Sequence, residues 1–446
     1  MNITRFSRFI HRRRNKALGV PELIAIALGG MVGGGIFSIL GISVAKIGVL
    51  TPLAIFIGGF FAALAAYSYV KLGVYYRDEG ATYSFYKKTF PKSPFAASLI
   101  GWWVIFGYIS TLALYAYTFA AYAISGTAYA DSVWVRKATA GAVIAVFTLI
   151  NVWSVRGMGK VEDGMVYTKL IILVVISVIL IHHSHASIPA LFSHHDSTDM
   201  LDILIIASIT FVAYEGFQLV INAVEEMDDP PRNIPRAIYA AIALAILIYV
   251  VLSLGALMAI PFEDIINNKE YALASGAGKA LGHWGNNLVI LGALLATSSA
   301  ISGTVFGASR QMAVIAQDGY LPAFLAVRKD RKPVNAILTM AGLAYLLVLA
   351  GTLQVILEFG SVTFLLVSLL MAYANFRIRH LTKSSVLLTV TSIFSLLTGT
   401  LLIVFYEVTT QPKQMYFIGG LYLLLTSAAW LYGRHHPHRK PDNAQT

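Results

Sequence analysis

Cysteine is absent from all 446 residues. That excludes a disulfide framework, a thiol nucleophile, a cysteine metal site and a subunit held through a disulfide, and it leaves the redox compartment unread. Charge is scarce as well. Asp, Glu, Lys and Arg make up 12% of the chain against 57% hydrophobic residues, and the mean hydropathy is +0.71. Soluble domains do not carry that balance, so the chain reads as an all-α integral membrane protein. Acidic residues number 22 against 33 basic ones, a net charge of +11. The basic residues sit where they face membrane lipids, which speaks against a nucleic-acid partner. The 11 histidines lie mostly in loops and tails. Within the apolar runs there is therefore no cluster for a metal, a cofactor or a membrane-embedded enzyme.

A window of about 20 residues, the length a helix needs to cross a bilayer, finds twelve candidate spans. They are 20–45, 51–74, 94–125, 138–154, 164–182, 201–224, 236–260, 284–316, 334–351, 355–376, 385–405 and 415–433. An even number places both termini on one side. Most of the 33 lysines and arginines fall in loops on that side, with Lys169 alone assigned inside a span. The positive-inside rule then puts both termini in the cytoplasm of a multi-pass cell-membrane protein. Met1 to Lys16 carries Arg5, Arg8, Arg12, Arg13, Arg14 and Lys16 without a cleavage-type region, and reads as a retained tail. Basic loops such as 328–332 are expected to anchor on anionic headgroups. The expected organisation is a tail over 1–19, a five-span unit over 20–182 and a His-rich extracytoplasmic loop over 183–200. A second five-span unit follows over 201–376, then two more spans over 377–433 and a tail over 434–446. Around the loop, His182, His183, His185, His194 and His195 lack regular ligand spacing. Like His435, His436 and His438 of the tail, they read as solvated side chains.

The first span is interrupted at its centre. Gly29-Gly30-Met31-Val32-Gly33-Gly34-Gly35-Ile36-Phe37 holds five glycines, each costing a helix interior roughly 1 kcal/mol relative to alanine. Two readings stay open. One is a helix break whose freed N–H and C=O groups line a wet cavity and hold a ligand; the other is close packing of two helices through small residues. The sixth span repeats the interruption at Phe211-Val212-Ala213-Tyr214-Glu215-Gly216-Phe217. A charge at a helix centre costs about 2.5 kcal/mol or more. Glu215 is therefore read as a functional carboxylate, with a protonated packing residue as the alternative. Interrupted helices at matching positions of two five-span halves mark an inverted-repeat transporter. Lys169 of the fifth span is either an intramembrane ammonium that gains and loses a proton during a cycle, or a side chain snorkelling to the near interface. Thr297, Ser298, Ser299, Ser302 and Thr304 of the eighth span either join helices or complete a site opposite the Gly33 break.

Five stretches in order carry a resemblance: 33–37, 211–217, Glu225 to Arg236, Arg310 to Pro322 with Ala316-Gln317-Asp318-Gly319-Tyr320-Leu321-Pro322, and Pro333-Val334-Asn335-Ala336. Together they resemble the amino acid, polyamine and organocation transporters, and among these the prokaryotic permeases with a lysine in helix 5. The resemblance implies twelve transmembrane helices: a five-plus-five inverted repeat with discontinuous helices 1 and 6, plus two C-terminal helices. It also implies alternating access around a zwitterionic substrate. Met31, Gly33, Gly34 and Gly35 are then expected to bind substrate, the glycine amides at the positive end of a half-helix suiting its carboxylate. Carbonyls near Phe211 and Ala213, with Glu215, suit the ammonium. Tyr108, Val212, Thr304 and Ser361 are expected to shape the side-chain pocket. Gly34 departs from the serine frequent in this family, so the carboxylate would rest on amides alone. Lys169 matches the lysine that fills sodium's place in sodium-independent members, with backbone carbonyls near Gly30 and a hydroxyl among Ser298, Ser299 and Ser302 as its expected neighbours in proton coupling.

The expected function is secondary active transport of amino acids, cationic ones included, or of related amines, proton-coupled and sodium-independent. Exchange uses the same scaffold and stays open. A cation channel or potassium transporter would show a filter-like carbonyl repeat or a large regulatory domain, and neither is visible. Expected partners are the small-molecule substrate, protons and membrane lipids.

Overall fold

The computed structural model describes residues 18–153, 158–184, 199–329 and 332–435, and over 158–163, 279–281 and 435 the backbone only. The basic residues up to Lys16, His185, His194, His195, His436, His438 and positions 330–331 lie outside the described residues. The first apolar run forms two helices, α1 (Val20–Met31) and α2 (Gly35–Ile47). Pro21 suits the first turn of α1, where no N–H partner is needed, and Glu22 accepts the Gly19 amide at 3.0 Å. There follow α3 (Thr51–Tyr76), α4 (Ala81–Thr89), α5 (Pro94–Ile124), α6 (Val133–Trp153) and α7 (Met158–His182). The next run begins as α8 (Met200–Thr210), passes through a 3-10 turn at Phe211–Tyr214, and resumes only as α9 (Leu219–Asn222). After it come α10 (Pro230–Ala259), α11 (Phe262–Asn267), α12 (Ala272–Gln317) and α13 (Val334–Ala350). The chain closes with α14 (Leu353–Arg377), α15 (Arg379–Thr382), α16 (Val386–Thr410) and α17 (Pro412–His435).

Ten helical stretches among the described residues are long and apolar enough to cross a membrane; α1 and α13 are shorter apolar helices. The short helices α4, α9, α11 and α15 escape a 20-residue window. Two proline residues open α10 at Pro230 rather than at 236, and α12 starts at Ala272 and kinks at Gly282, where φ is 71°. One sequence expectation needs correction: Lys71 and Arg310 also lie inside apolar helices, α3 and α12. Both sit within two turns of a helix end, where a long stem reaches the interface, and the Arg310 guanidinium lies 3.3 Å from the Phe306 ring centroid.

Burial sorts the helices into a centre and a rim. Of an apolar 18-residue window in each, 89% is buried in the α8–α9 stretch and 78% in α5, against 33% in α16 and 17% in α17. The broken run therefore lies in the middle of the bundle, and the last two helices flank it. Trp134 and Trp153 are exposed at helix ends and Trp284 just past the Gly282 kink of α12, where indoles suit the headgroup region.

One end of the bundle is closed by packing. The segment before α12 lies on α2 so tightly that a Cβ at Gly41 would stand 2.0 Å from the Lys269 carbonyl oxygen. Arg136, 4% exposed, pairs with Glu270 and donates to the Ala130 carbonyl at 2.6 Å, while the Tyr117 hydroxyl reaches Glu270 at 3.3 Å. Arg136→Ala is expected to lower stability by about 2 kcal/mol, the range for a hydrogen bond to a charged group, read as a lower melting temperature in detergent. At the other end Lys87 and the Tyr83 hydroxyl bind Asp318 at 2.7 and 2.8 Å, tying α4 to the end of α12. Asp78 is partly buried there, which raises its pKa, but hydrogen bonds from Lys88, Ser84 and the Gly80 amide outweigh this and hold the carboxyl below its usual range.

Candidate functional site

The two interruptions meet. Helix α1 ends at Met31 and α2 begins at Gly35, so the amides of Gly34, Gly35, Ile36 and Phe37 open α2 without partners inside it. The second break turns at Gly216, whose φ of 126° suits glycine. A Cβ on Gly216 would stand 2.6 Å from the Gly30 carbonyl carbon and the Met31 amide nitrogen, and one on Gly35 3.0 Å from Ala213 Cα. Backbone lies on backbone. The helix is broken at the glycines and two backbones also pack closely through them.

Hydrogen bonds fasten the breaks to their surroundings. The Tyr249 hydroxyl of α10 donates toward the Met31 carbonyl at 2.8 Å and the Ala213 carbonyl at 3.2 Å. Ser361 donates to the Ile209 carbonyl at 2.6 Å, and Tyr115 to the Gly30 carbonyl at 3.4 Å. Thr118 stands where a side chain at Gly34 would be, 3.0 Å from that position, and its hydroxyl meets Ser38 Oγ at 2.5 Å.

Lys169 is fully buried on α7. Its Nζ donates to the Gly29 carbonyl at 2.8 Å and to Ser299 Oγ at 3.4 Å, so it turns inward and joins α1, α7 and α12. The carbonyl it meets is one residue before Gly30, at the last full turn of α1. Ser298 is half-buried, and Ser302 Oγ is buried with no hydrogen-bond partner among the described residues.

Against the breaks lies a cavity of about 350 Å³. From the sequence-derived candidates it brings together Gly30, Tyr108, Glu215, Ser299 and Thr304. Met31, Gly33, Gly34, Gly35, Phe211, Val212, Ala213, Ser298, Ser302 and Ser361 do not line it, although all but Ser298 are buried. Ala25 and Ile26 near the start of α1, Glu226 and Gln311 also line the cavity. It therefore faces the end of the bundle where α1 begins and α12 finishes, opposite the Arg136–Glu270 closure. Glu215 is 5% exposed and accepts from Gln218 Nε2, which also donates to Tyr108 Oη at 3.3 Å; Gln218 Oε1 accepts the Gly216 amide at 3.1 Å.

Sequence reasoning passed over Tyr115, Gln218 and Tyr249. Gln218 had a usable signal, a polar residue three positions after Glu215 in an apolar run. A single tyrosine in an apolar helix carries none.

Comparison with known proteins settles the lineage. A profile of the amino acid permease family matches residues 18–427. The chain belongs to the amino acid permease family. It is 30% identical over 373 residues to the inner membrane transport protein YbaT of Escherichia coli, covering 82% of this chain and 84% of that protein. Similarity to the uncharacterized protein MJ0609 of Methanocaldococcus jannaschii is 29% over 368 residues, 81% and 83% of the two chains. The cationic amino acid transporter 7 of Arabidopsis thaliana is 26% identical over 81% of this chain and 65% of its own length. Permease family members and named relatives are transporters, not enzymes, and amino acid transport across a membrane follows for this permease.

Proposed function

We propose that this permease is a secondary active transporter that carries amino acids, cationic ones included, or related amines across the cytoplasmic membrane by alternating access. Transport is coupled to protons and independent of sodium. One observation supports this above the others: two helix breaks meet beside a cavity of about 350 Å³ that holds a buried carboxylate. The chain crosses twelve times, α1 with α2 and α8 with α9 each making one broken crossing of a five-plus-five repeat, with α16 and α17 added. The basic end, where the cavity opens, is cytoplasmic. Substrate enters beside Gly30, Tyr108, Glu215 and Thr304. Its carboxylate reaches the amides of Gly33, Gly34 and Gly35 once Tyr115 and Thr118 have moved aside. Lys169 braces α1 against α7 and α12 while charged and loosens them on losing its proton.

Uptake of radiolabelled lysine, arginine and neutral amino acids into proteoliposomes, in sodium-free buffer, tests this. Accumulation of an amino acid only under an inward proton gradient is the expected result. Entry only into vesicles preloaded with unlabelled amino acid makes the protein an exchanger, and no movement of any amino acid overturns the transport reading.

A further inference from the structure

A second cavity, of about 530 Å³, lies at the end of the bundle where α1 begins. It is a groove between the last turns of α3, the first turns of α10 and the α15 turn, and it shares no residue with the cavity beside the breaks. Tyr75, Tyr239 and Leu381 of its wall are exposed, so it opens on the outside of the bundle.

Lys71, Arg77 and Lys383 supply it with three cations, and no aspartate or glutamate lines it. No ion pair among the described residues uses any of the three. The turn that carries Lys383 is fastened to α3: Lys71 Nζ donates to the Lys383 carbonyl at 3.1 Å, and the Ser385 amide to the Tyr67 hydroxyl at 2.7 Å. Arg77 and Lys383 each stand just past a helix end at φ 47° and 50°, a conformation that glycine fills with less strain. At both positions a long cation is kept where the backbone favours glycine, and both cations line the groove.

The groove also has an apolar continuation. The helices α3, α10 and α16 are long and apolar enough to cross a membrane, and the groove sits at their ends, at the depth of lipid headgroups. Its tyrosines suit that depth. By helical spacing, Phe60 and Phe56 share the face of α3 that carries Tyr67, and Leu247 the face of α10 that carries Tyr239; all three are exposed. An apolar strip therefore leads from the cations toward the middle of the membrane. A free phosphate would use only the cations, and a soluble acidic partner would leave the strip uncovered.

We propose that this groove binds one anionic phospholipid, with Lys71, Arg77 and Lys383 facing its phosphate headgroup and an acyl chain lying along the strip of Phe60 and Leu247. The site stands apart from the transport reading, because binding is measured without uptake.

The test is binding of radiolabelled phosphatidylglycerol to the purified full-length protein in neutral detergent, with phosphatidylcholine and inorganic phosphate as competitors. The labelled lipid binds, and neither competitor displaces it as unlabelled phosphatidylglycerol does. Lys71→Gln combined with Lys383→Gly weakens binding by about ten- to thirtyfold, the loss expected for two cations at a membrane surface. Lys383→Gly alone relieves the backbone at that turn, so its lipid-free melting temperature is unchanged or higher while its binding falls. That opposite movement separates lost binding from lost folding. Arg328→Gln combined with Lys329→Gln removes the same charge outside the groove and leaves binding unchanged. Equal weakening by that control, unchanged binding by the groove variant, or displacement by inorganic phosphate or by phosphatidylcholine overturns the proposal.

Discussion

Gly216→Ala is expected to reduce amino acid uptake to background. The added methyl meets backbone, not a flexible side chain: 2.6 Å to the Gly30 carbonyl carbon and 2.6 Å to the Met31 amide nitrogen. Neither atom can turn aside without moving the end of α1. At φ 126° the alanine backbone is strained besides, by about 1–3 kcal/mol for a residue held in a sparsely populated region, and overpacking adds about 1–3 kcal/mol. Relief requires the two breaks to separate, which takes Glu215 away from Gly30 and opens the wall of the cavity. Gly342→Ala on α13, where nothing lies within 4 Å of the new Cβ, is expected to leave uptake unchanged and stability equal or higher by up to about 1 kcal/mol. Uptake by both variants in parallel, normalised to folded protein, checks the contrast.

Lys169→Ala is expected to cut transport at least tenfold and to remove its response to a proton gradient. The ammonium is fully buried and is the donor to the Gly29 carbonyl at 2.8 Å, at the point where α1 is about to end. Removing it leaves a cavity and takes a charge-assisted donor, worth about 1.5–3 kcal/mol, from that carbonyl. Lys169→Arg separates brace from proton carrier, because a guanidinium keeps its charge at any working pH. If proton loss drives the cycle, the arginine variant is folded and inactive in gradient-driven uptake. Wild-type gradient dependence in either variant contradicts the proton role.

The break in the first run was legible because three consecutive glycines are improbable in a stable helix, and that in the sixth because Glu215 beside Gly216 is expensive in lipid. Position was less legible than existence. The sequence pointed Lys169 to carbonyls near Gly30 without saying which; the structure gives it the Gly29 carbonyl and Ser299. Tyr249 and Tyr115 were invisible because their hydroxyls find partners only through tertiary packing, 218 and 85 residues away along the chain. The short helix α4 was missed because its nine residues are not continuously apolar.

A chain without cysteine permits a direct test of the cavity between the breaks. Gln311→Cys lines that cavity and Thr118→Cys is fully buried behind the glycines. A membrane-impermeant thiol reagent applied from the side of the chain termini is expected to label Gln311→Cys, more slowly when lysine is present, and to spare Thr118→Cys. Labelling of Gln311→Cys from the opposite side alone, or at a rate that no amino acid or amine changes, would contradict a substrate cavity open toward the termini.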